Sequence, residues 1–208
     1  RGYERSRDPM GDSLSEVAAM ICENDEFNPD DFVSACDDEP ALVRQPAPGS
    51  AAAPAATDPG PSRFLTFQRP FAWDQVEKQP YKADGTGFAG VDRQVLFGPA
   101  DATAFHVRYF ELAPGGYSSL EKHQHAHAVI CARGRGLAVV GNEVRPMNLM
   151  DAVYVSPMTP HQFVNDSDEP FGFFCIVDAD RDRPQPVSVE ELATLKANSV
   201  TAQAIRLG

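Results

Sequence analysis

Residues 121–134 read EKHQHAHAVICARG, and residues 156–165 read SPMTPHQFVN. These two windows hold four of the five histidines of the chain: His123, His125, His127 and His161. Histidines at every second position of an extended segment point to one side, so the first three are predicted to share a face. Tight clustering of a rare residue argues against the alternative of solvent-facing histidines on an edge strand. Since neutral imidazole is the commonest side-chain ligand for transition metals, the windows predict one divalent metal per chain, with Fe, Mn, Zn, Ni and Cu as candidates.

Short β-rich runs separated by turn residues surround these windows. The candidate strands are Phe64–Phe67, Arg93–Phe97, Ala104–Leu112, His127–Arg133, Gly136–Val140, Ala152–Val155 and Phe171–Val177. Many short strands at even spacing predict an antiparallel sandwich or barrel. One later helix is predicted near Val189–Lys196, because Ser188 and Glu191 have the spacing of a capping box.

The two histidine windows resemble the two sequence motifs of the cupin superfamily. Gly116 opens the first window, Gly134 closes it, and His127 stands where the family usually has Glu. The second motif keeps four of its usual residues, which are Asp151, Pro157, His161 and Asn165. Met150 and Met158 replace its usual glycines. The resemblance covers roughly residues 105–178 and implies an all-β fold, a double-stranded β-helix or jelly-roll barrel.

The spacing leaves the fourth metal ligand open between His125 and Glu121. If His127 fills the third ligand slot, the usual family spacing places the first two ligands at Glu121 and His123. If His123 and His125 form the first pair, the bend between the strands is shorter than usual. We favour His125, because a four-imidazole site suits Mn, Fe, Ni or Cu. The residue not used as a ligand could instead orient a ligand through its other ring nitrogen.

Residues Phe105–Glu111 alternate in character, so His106, Arg108 and Phe110 share one face of a strand. If this face is inward, Arg108 is a buried cation near the metal and suits a carboxylate substrate. If it is outward, Arg108 is an ordinary solvated residue. The candidate catalytic residues are therefore Arg108, His106 and Glu121. Cys131 and Cys175 lie in apolar strands and are interpreted as core residues.

The composition divides the chain into four parts. Residues 1–44 are an acidic extension with two short helix signals, and residues 45–62 form an Ala/Pro-rich linker. Residues 63–186 are the predicted barrel, and residues 187–208 are a C-terminal helix and tail.

The net charge and the cysteine content limit the kinds of partner and the cellular compartment that we expect. The net charge of −12 argues against nucleic acid as a partner, and no apolar run is long enough to span a bilayer. The four cysteines form no C-x-x-C pair, which favours a reducing, cytoplasmic compartment. Because sheet edges need covering, a homodimer is a further expectation.

A small barrel has room for one small molecule, which is the expected ligand. An enzyme is the favoured interpretation: either an Fe(II) dioxygenase, or a non-redox metalloenzyme such as an isomerase, lyase or decarboxylase. The alternative is a small-ligand sensor or regulatory module. The fold by itself does not choose among these functions.

Overall fold

The computed structural model describes residues 62–82 and 86–208, and within them the chain is mostly β. The predicted extension, residues 1–44, lies outside the described residues, as does the predicted linker up to residue 61. The described strands are β1 (Phe67–Gln68), β2 (Ala72–Trp73), β3 (Lys78–Pro80), β4 (Ala89–Phe97), β5 (Phe105–Tyr117), β6 (Glu121–Lys122), β7 (His127–Arg133), β8 (Gly136–Val140), β9 (Glu143–Met147), β10 (Ala152–Val155), β11 (His161–Val164), β12 (Phe171–Asp178) and β13 (Gln185–Pro186). Two helices follow, α1 (Val189–Ala197) and α2 (Ser199–Ala204).

Eleven of these strands form one antiparallel sheet that curls into a nearly closed barrel. Its main path runs β10-β7-β12-β5-β11-β6-β13, while β3 and β4 join through β5 and β8 and β9 join through β11. The long strand β5 pairs with β12 along eight residue pairs, and β12 pairs with β7. The predicted all-β jelly-roll barrel is therefore confirmed.

The core fills the barrel with large apolar side chains from β5, β7, β11 and β12. Its buried cluster includes Phe110, Leu112, Val129, Phe163 and Phe173. The side chains of Cys131 and Cys175 are also buried in this cluster, as the apolar strands around them predict. Phe110, Phe163 and Phe173 of this core also line a cavity, so the core and the cavity share the inner face of the barrel.

The turn glycine predicted to close the first motif is required by its surroundings. Gly134 has φ of +60°, and a Cβ there would lie 2.2 Å from the carbonyl oxygen of Pro170. Met150 and Met158, which replace the usual glycines of the second motif, have φ of 69° and 60°. The two turns of the motif therefore keep a left-handed backbone conformation, although the methionine side chains disfavour it.

Two short helices follow the barrel strands, whereas the sequence predicted one helix there. The capping box of α1 is present, since the Ser188 side chain accepts from the Glu191 N–H and the Glu191 carboxylate accepts from the Ser188 N–H. Asn198 is extended, ends α1, and caps α2 by accepting from the Val200 N–H. Leu195 and Ile205 then pack against Val139 of the barrel.

Several strand predictions differ from the structure. The predicted strand Phe64–Phe67 is wrong for its first three residues, because only Phe67 belongs to β1. The sequence did not predict β9 and β11, nor four strands that are only two or three residues long, which are β2, β3, β6 and β13. All four residues of β11 are buried, so no polar alternation marks the strand, and β9 contains Pro146, which is unfavourable in the interior of a sheet.

Among the described residues, no helix is both long enough and apolar enough to cross a membrane.

Candidate metal centre

Three of the four predicted metal ligands lie together inside the barrel. His127 begins β7, His161 begins β11, and His123 directly follows β6. Each offers one ligand atom, and these atoms all lie within 4.8 Å of one another. The three side chains are buried, with exposed fractions of 4 to 6%. This spacing allows one ion to contact all three rings.

The second nitrogen of each ring is held by the protein. The Nδ1 atoms of His123 and His161 lie 2.7 Å and 2.8 Å from the carbonyl oxygens of His125 and Thr159. A carbonyl only accepts, so each Nδ1 must donate and each Nε2 keeps a free lone pair. His127 Nδ1 lies 3.1 Å from the Cys175 sulfur, and its Nε2 is buried with no hydrogen-bond partner in the described part of the chain. A buried Nε2 atom that is left without a partner in this way fits a metal ligand.

Burial keeps these imidazoles neutral. Burial, together with the neighbouring His161 and His123, lowers the pKa of His127 to about 2. Burial also lowers the pKa of His161 to about 4, against the opposing effect of its hydrogen bond to Thr159. The pKa of His123 is lowered as well, mainly by burial. Only the neutral ring can bind a metal, so the three rings are ready to do so at neutral pH.

His125 takes a different position from the one expected of an extended strand. Its ring stacks on that of His123, with centroids 3.6 Å apart and planes 5° from parallel. Its Nδ1 lies 2.7 Å from the carboxylate of Asp182, which also accepts from the backbone N–H groups of Gln124 and His125. The prediction of one extended segment is wrong for residues 123–126, because Asp182 holds a bend there.

Glu121, the other candidate for the fourth ligand, also reaches the cavity. It pairs with His161 across β6 and β11, and its carboxylate forms a 2.7 Å ion pair with Lys82. Asp182 and Lys82 were not predicted as site residues. Both lie far along the chain from the residues they contact, and no local motif marks them. The fourth ligand therefore stays a prediction.

The histidines open into a cavity of about 260 Å³. Phe110, Phe163 and Phe173 form an apolar wall of this cavity. Arg108 also faces the cavity, so of the two orientations considered for this residue the inward one is present. His106 does not line the cavity; it is buried behind it, and its Nδ1 accepts from Arg181 at 2.7 Å. Burial and the nearby Arg181 lower the pKa of His106.

Comparisons with known proteins agree with this architecture. A family model described as "Cupin domain" matches residues 108–177. The chain is similar to 1-methylthio-D-xylulose 5-phosphate methylsulfurylase of Rhodospirillum rubrum, at 43% identity over 140 residues, which cover 67% of this chain and 89% of that protein.

Solved structures give the same result. The crystal structure of a cupin 2 conserved barrel domain protein from Rhodopseudomonas palustris is 40% identical, with a TM-score of 0.65, and the match covers 69% of this chain and 99% of that one. A cupin-2 domain protein from Rhodospirillum rubrum is 42% identical, with a TM-score of 0.61, over 67% of this chain and 93% of that one. With the two motifs, the antiparallel barrel and these matches, the chain belongs to the cupin superfamily.

Proposed function

We propose that this chain is a metal-dependent enzyme that acts on 1-methylthio-D-xylulose 5-phosphate or a closely similar ketose phosphate. The observation that carries the proposal is the buried cluster of His123, His127 and His161 at a small cavity. The substrate class comes from the methylsulfurylase of Rhodospirillum rubrum, whose length is covered to 89% at 43% identity.

The name of that substrate describes a five-carbon ketose with a methylthio group at one end and a phosphate at the other. Such a molecule needs a site for its carbonyl and hydroxyl oxygens, an apolar surface for the methylthio group and a cationic surface for the phosphate. The cavity contains imidazoles, phenylalanine rings and arginines, which match these three needs.

His123, His127 and His161 would hold the metal, with His125 as the favoured fourth ligand. Glu121 is the alternative fourth ligand, and the proton-transfer role proposed for it below applies when His125 completes the set. A bound divalent metal supplies Lewis acidity toward a ketone or hydroxyl oxygen. The aromatic wall of Phe110, Phe163 and Phe173 would exclude water and contact the methylthio sulfur, because thioethers pack well against aromatic rings.

Glu121 is the carboxylate best placed to move a proton. It lines the cavity, its backbone pairs with that of the metal-ligand candidate His161, and Lys82 lies 2.7 Å from its oxygen. In the proposed reaction the C1–sulfur bond of the substrate breaks and the methylsulfur group forms a disulfide with an external thiol. The Glu121 carboxylate accepts the proton of that thiol and delivers it to C1, which takes the electron pair of the broken bond, while the Lys82 ammonium holds the carboxylate in place.

The relative's name refers to a methylsulfur group and not to oxygen insertion. This favours chemistry at the carbon–sulfur bond over the Fe(II) dioxygenase alternative. The ligand-binding sensor is less favoured, since the match spans most of a named enzyme.

The test is to incubate the protein, loaded in turn with Mn, Fe, Zn, Ni or Cu, with 1-methylthio-D-xylulose 5-phosphate. Parallel samples contain dithiothreitol, because a released methylsulfur group needs an acceptor. Proton NMR is expected to show the methylthio singlet move, while phosphorus NMR shows an intact phosphate monoester.

The matched control is His161→Ala, which is expected to leave the substrate unchanged. An unaltered methylthio singlet with every metal, with and without the thiol, would contradict the proposed function.

A further inference from the structure

We infer that three arginines on one wall of the cavity, Arg93, Arg108 and Arg181, form the binding site for the substrate's phosphate group. This inference rests on the proposed function for the identity of the substrate. The inference identifies the residues that bind the phosphate end of the substrate, which takes no part in the reaction.

The fold brings these arginines together from three separate segments. Arg93 lies on β4 and Arg108 on β5, two adjacent antiparallel strands in which Arg93 pairs with Phe110 and Arg108 pairs with Val95. The two arginines are therefore diagonal neighbours on the same face of the sheet. Arg181 follows β12 and is fixed by hydrogen bonds to His106 and to the Asp178 carbonyl. All three side chains line the cavity.

None of the three has a carboxylate within ion-pair distance in the part of the chain that the structure describes. Arg93 donates to the Gln79 amide oxygen at 3.1 Å, and Arg108 lies 3.2 Å from the Cys175 sulfur. The Nε atoms of Arg93 and Arg108 are buried and have no hydrogen-bond partner among residues 62–82 and 86–208. Donors left free in this way are costly unless a ligand takes them.

Other cationic side chains near the cavity form ion pairs with carboxylates, unlike these three arginines. Lys82 lines the same cavity but pairs with Glu121, and Arg133 pairs with Glu111 on β5. Protein cations that are partly buried are normally paired. The missing partner of the arginine cluster is therefore best supplied by an anionic ligand.

The three guanidinium groups repel one another. Burial lowers the pKa of Arg93 and of Arg181, and the charge of Arg108 lowers both further. An anion between them would relieve this repulsion. The whole chain carries a net charge of −12, so a local positive wall is also what would draw an anionic substrate into this cavity.

Phosphate suits this cluster better than the carboxylate expected from Arg108 alone. A phosphate monoester offers three terminal oxygens and close to two negative charges, and each guanidinium can bind oxygens with two parallel hydrogen bonds. A carboxylate has two oxygens and one charge, so it offers fewer acceptor sites and neutralises less of the positive charge of the cluster.

The cluster also lies at a useful position relative to the histidines. Arg108 contacts the Cys175 sulfur, and the same sulfur contacts Nδ1 of His127. The arginines therefore border the metal-ligand candidates without contacting their free Nε2 atoms. A substrate held by its phosphate on this wall can place its other end at the histidines.

The experiment measures binding without turnover. Calorimetry on the metal-loaded protein compares D-xylulose 5-phosphate, D-xylulose, inorganic phosphate and acetate. The variants are Arg93→Gln, Arg108→Gln and Arg181→Gln. The matched control is Arg145→Gln, because Arg145 is exposed and forms its ion pair with the exposed Glu143, away from the residues that line the cavity. Circular dichroism and metal content check that each variant is folded.

The native protein is expected to bind D-xylulose 5-phosphate at least tenfold more tightly than D-xylulose. Each cavity variant is expected to weaken binding of the sugar phosphate and of inorganic phosphate by about tenfold, the effect of losing roughly 1.4 kcal/mol. Affinity for D-xylulose should stay unchanged, and Arg145→Gln should bind as the native protein does. If a Gln variant fails to fold, Arg108→Lys and the loop variant Arg181→Lys give the same comparison with charge retained and the planar fork lost.

Equal affinity of the native protein for D-xylulose 5-phosphate and D-xylulose would overturn the inference. So would folded cavity variants that keep native affinity for the sugar phosphate, or acetate binding as tight as phosphate binding. Arginine-dependent phosphate selectivity in a protein that leaves the methylthio substrate unchanged would support the phosphate site and reject the proposed function. Turnover of that substrate without such selectivity would do the reverse.

Discussion

At the scale of single residues, the histidines differ in what holds each ring. His123 and His161 donate from Nδ1 to backbone carbonyls, whereas His127 contacts a cysteine sulfur and His125 pairs with the Asp182 carboxylate. Backbone partners leave a neutral ring with a free Nε2, which is the state a metal requires. The Asp182 carboxylate holds His125 in a comparable way, because it accepts from Nδ1 and leaves Nε2 free.

Replacing His161 by Ala is expected to remove most of the bound metal, since it deletes one of three convergent nitrogen atoms. Metal per chain, measured by mass spectrometry on protein purified without chelators or a histidine tag, should fall from about one to a small fraction. His106→Asn is the matched control, because His106 is a buried histidine that lies outside the cluster.

Full metal content in His161→Ala would contradict the assignment. The same measurement on His125→Ala and Glu121→Gln decides the fourth ligand: the variant that loses metal affinity identifies it.

At the scale of elements, the turn before β10 contains a residue that its backbone disfavours. Met150 has φ of 69° and its side chain is exposed, so it gains little from packing. A left-handed conformation costs an L-residue about 1–2 kcal/mol, and glycine loses about 0.5–1 kcal/mol through its greater freedom in the unfolded chain.

Met150→Gly is therefore expected to raise the free energy of unfolding by roughly 0.5–1 kcal/mol, measured by urea denaturation. The control is Leu149→Gly at the neighbouring exposed position, where φ is not positive and glycine should destabilise the protein. A Met150→Gly protein that is less stable than the native one would show that the methionine side chain has a role that its exposure does not reveal.

At the scale of the whole molecule, the buried histidines make the metal-free protein sensitive to acid. In the unfolded chain His161 takes up a proton near its ordinary pKa of 6.5, whereas in the folded chain burial lowers that pKa to about 4. Between these two values the unfolded chain binds a proton that the folded chain does not. The free energy of unfolding must therefore fall as the pH drops from 6.5 to 4.

For His161 alone the expected loss is about 3 kcal/mol, and His127 adds to it in the same direction. Urea denaturation of the metal-free protein at several pH values measures the slope. His161→Gln, which cannot take up a proton, should show a shallower slope, and parallel slopes for the two proteins would refute this explanation.

Local patterns in the sequence were sufficient for the fold and for part of the site. The alternation of residues 105–111 in β5 and the short apolar runs of β7 and β12 between turn residues indicate strands, since side-chain direction repeats every two residues and fully buried strands are apolar on both faces. The spacing of His127 and His161 relative to Gly134 and Asn165 was enough to indicate the cupin motifs. Such signals depend only on neighbours along the chain, so they can be recognised without knowledge of the fold.

Contacts between distant segments were decided by the tertiary structure. Asp182 bends the histidine segment from 57 positions away, and Arg181 reaches His106 from 75 positions away. Alternation alone left Arg108 free to face either solvent or the interior. In the closed barrel Arg108 faces the interior, and Arg93 lies beside it on the adjacent strand. The sequence could not decide this, because the face that a strand buries depends on which strands it pairs with.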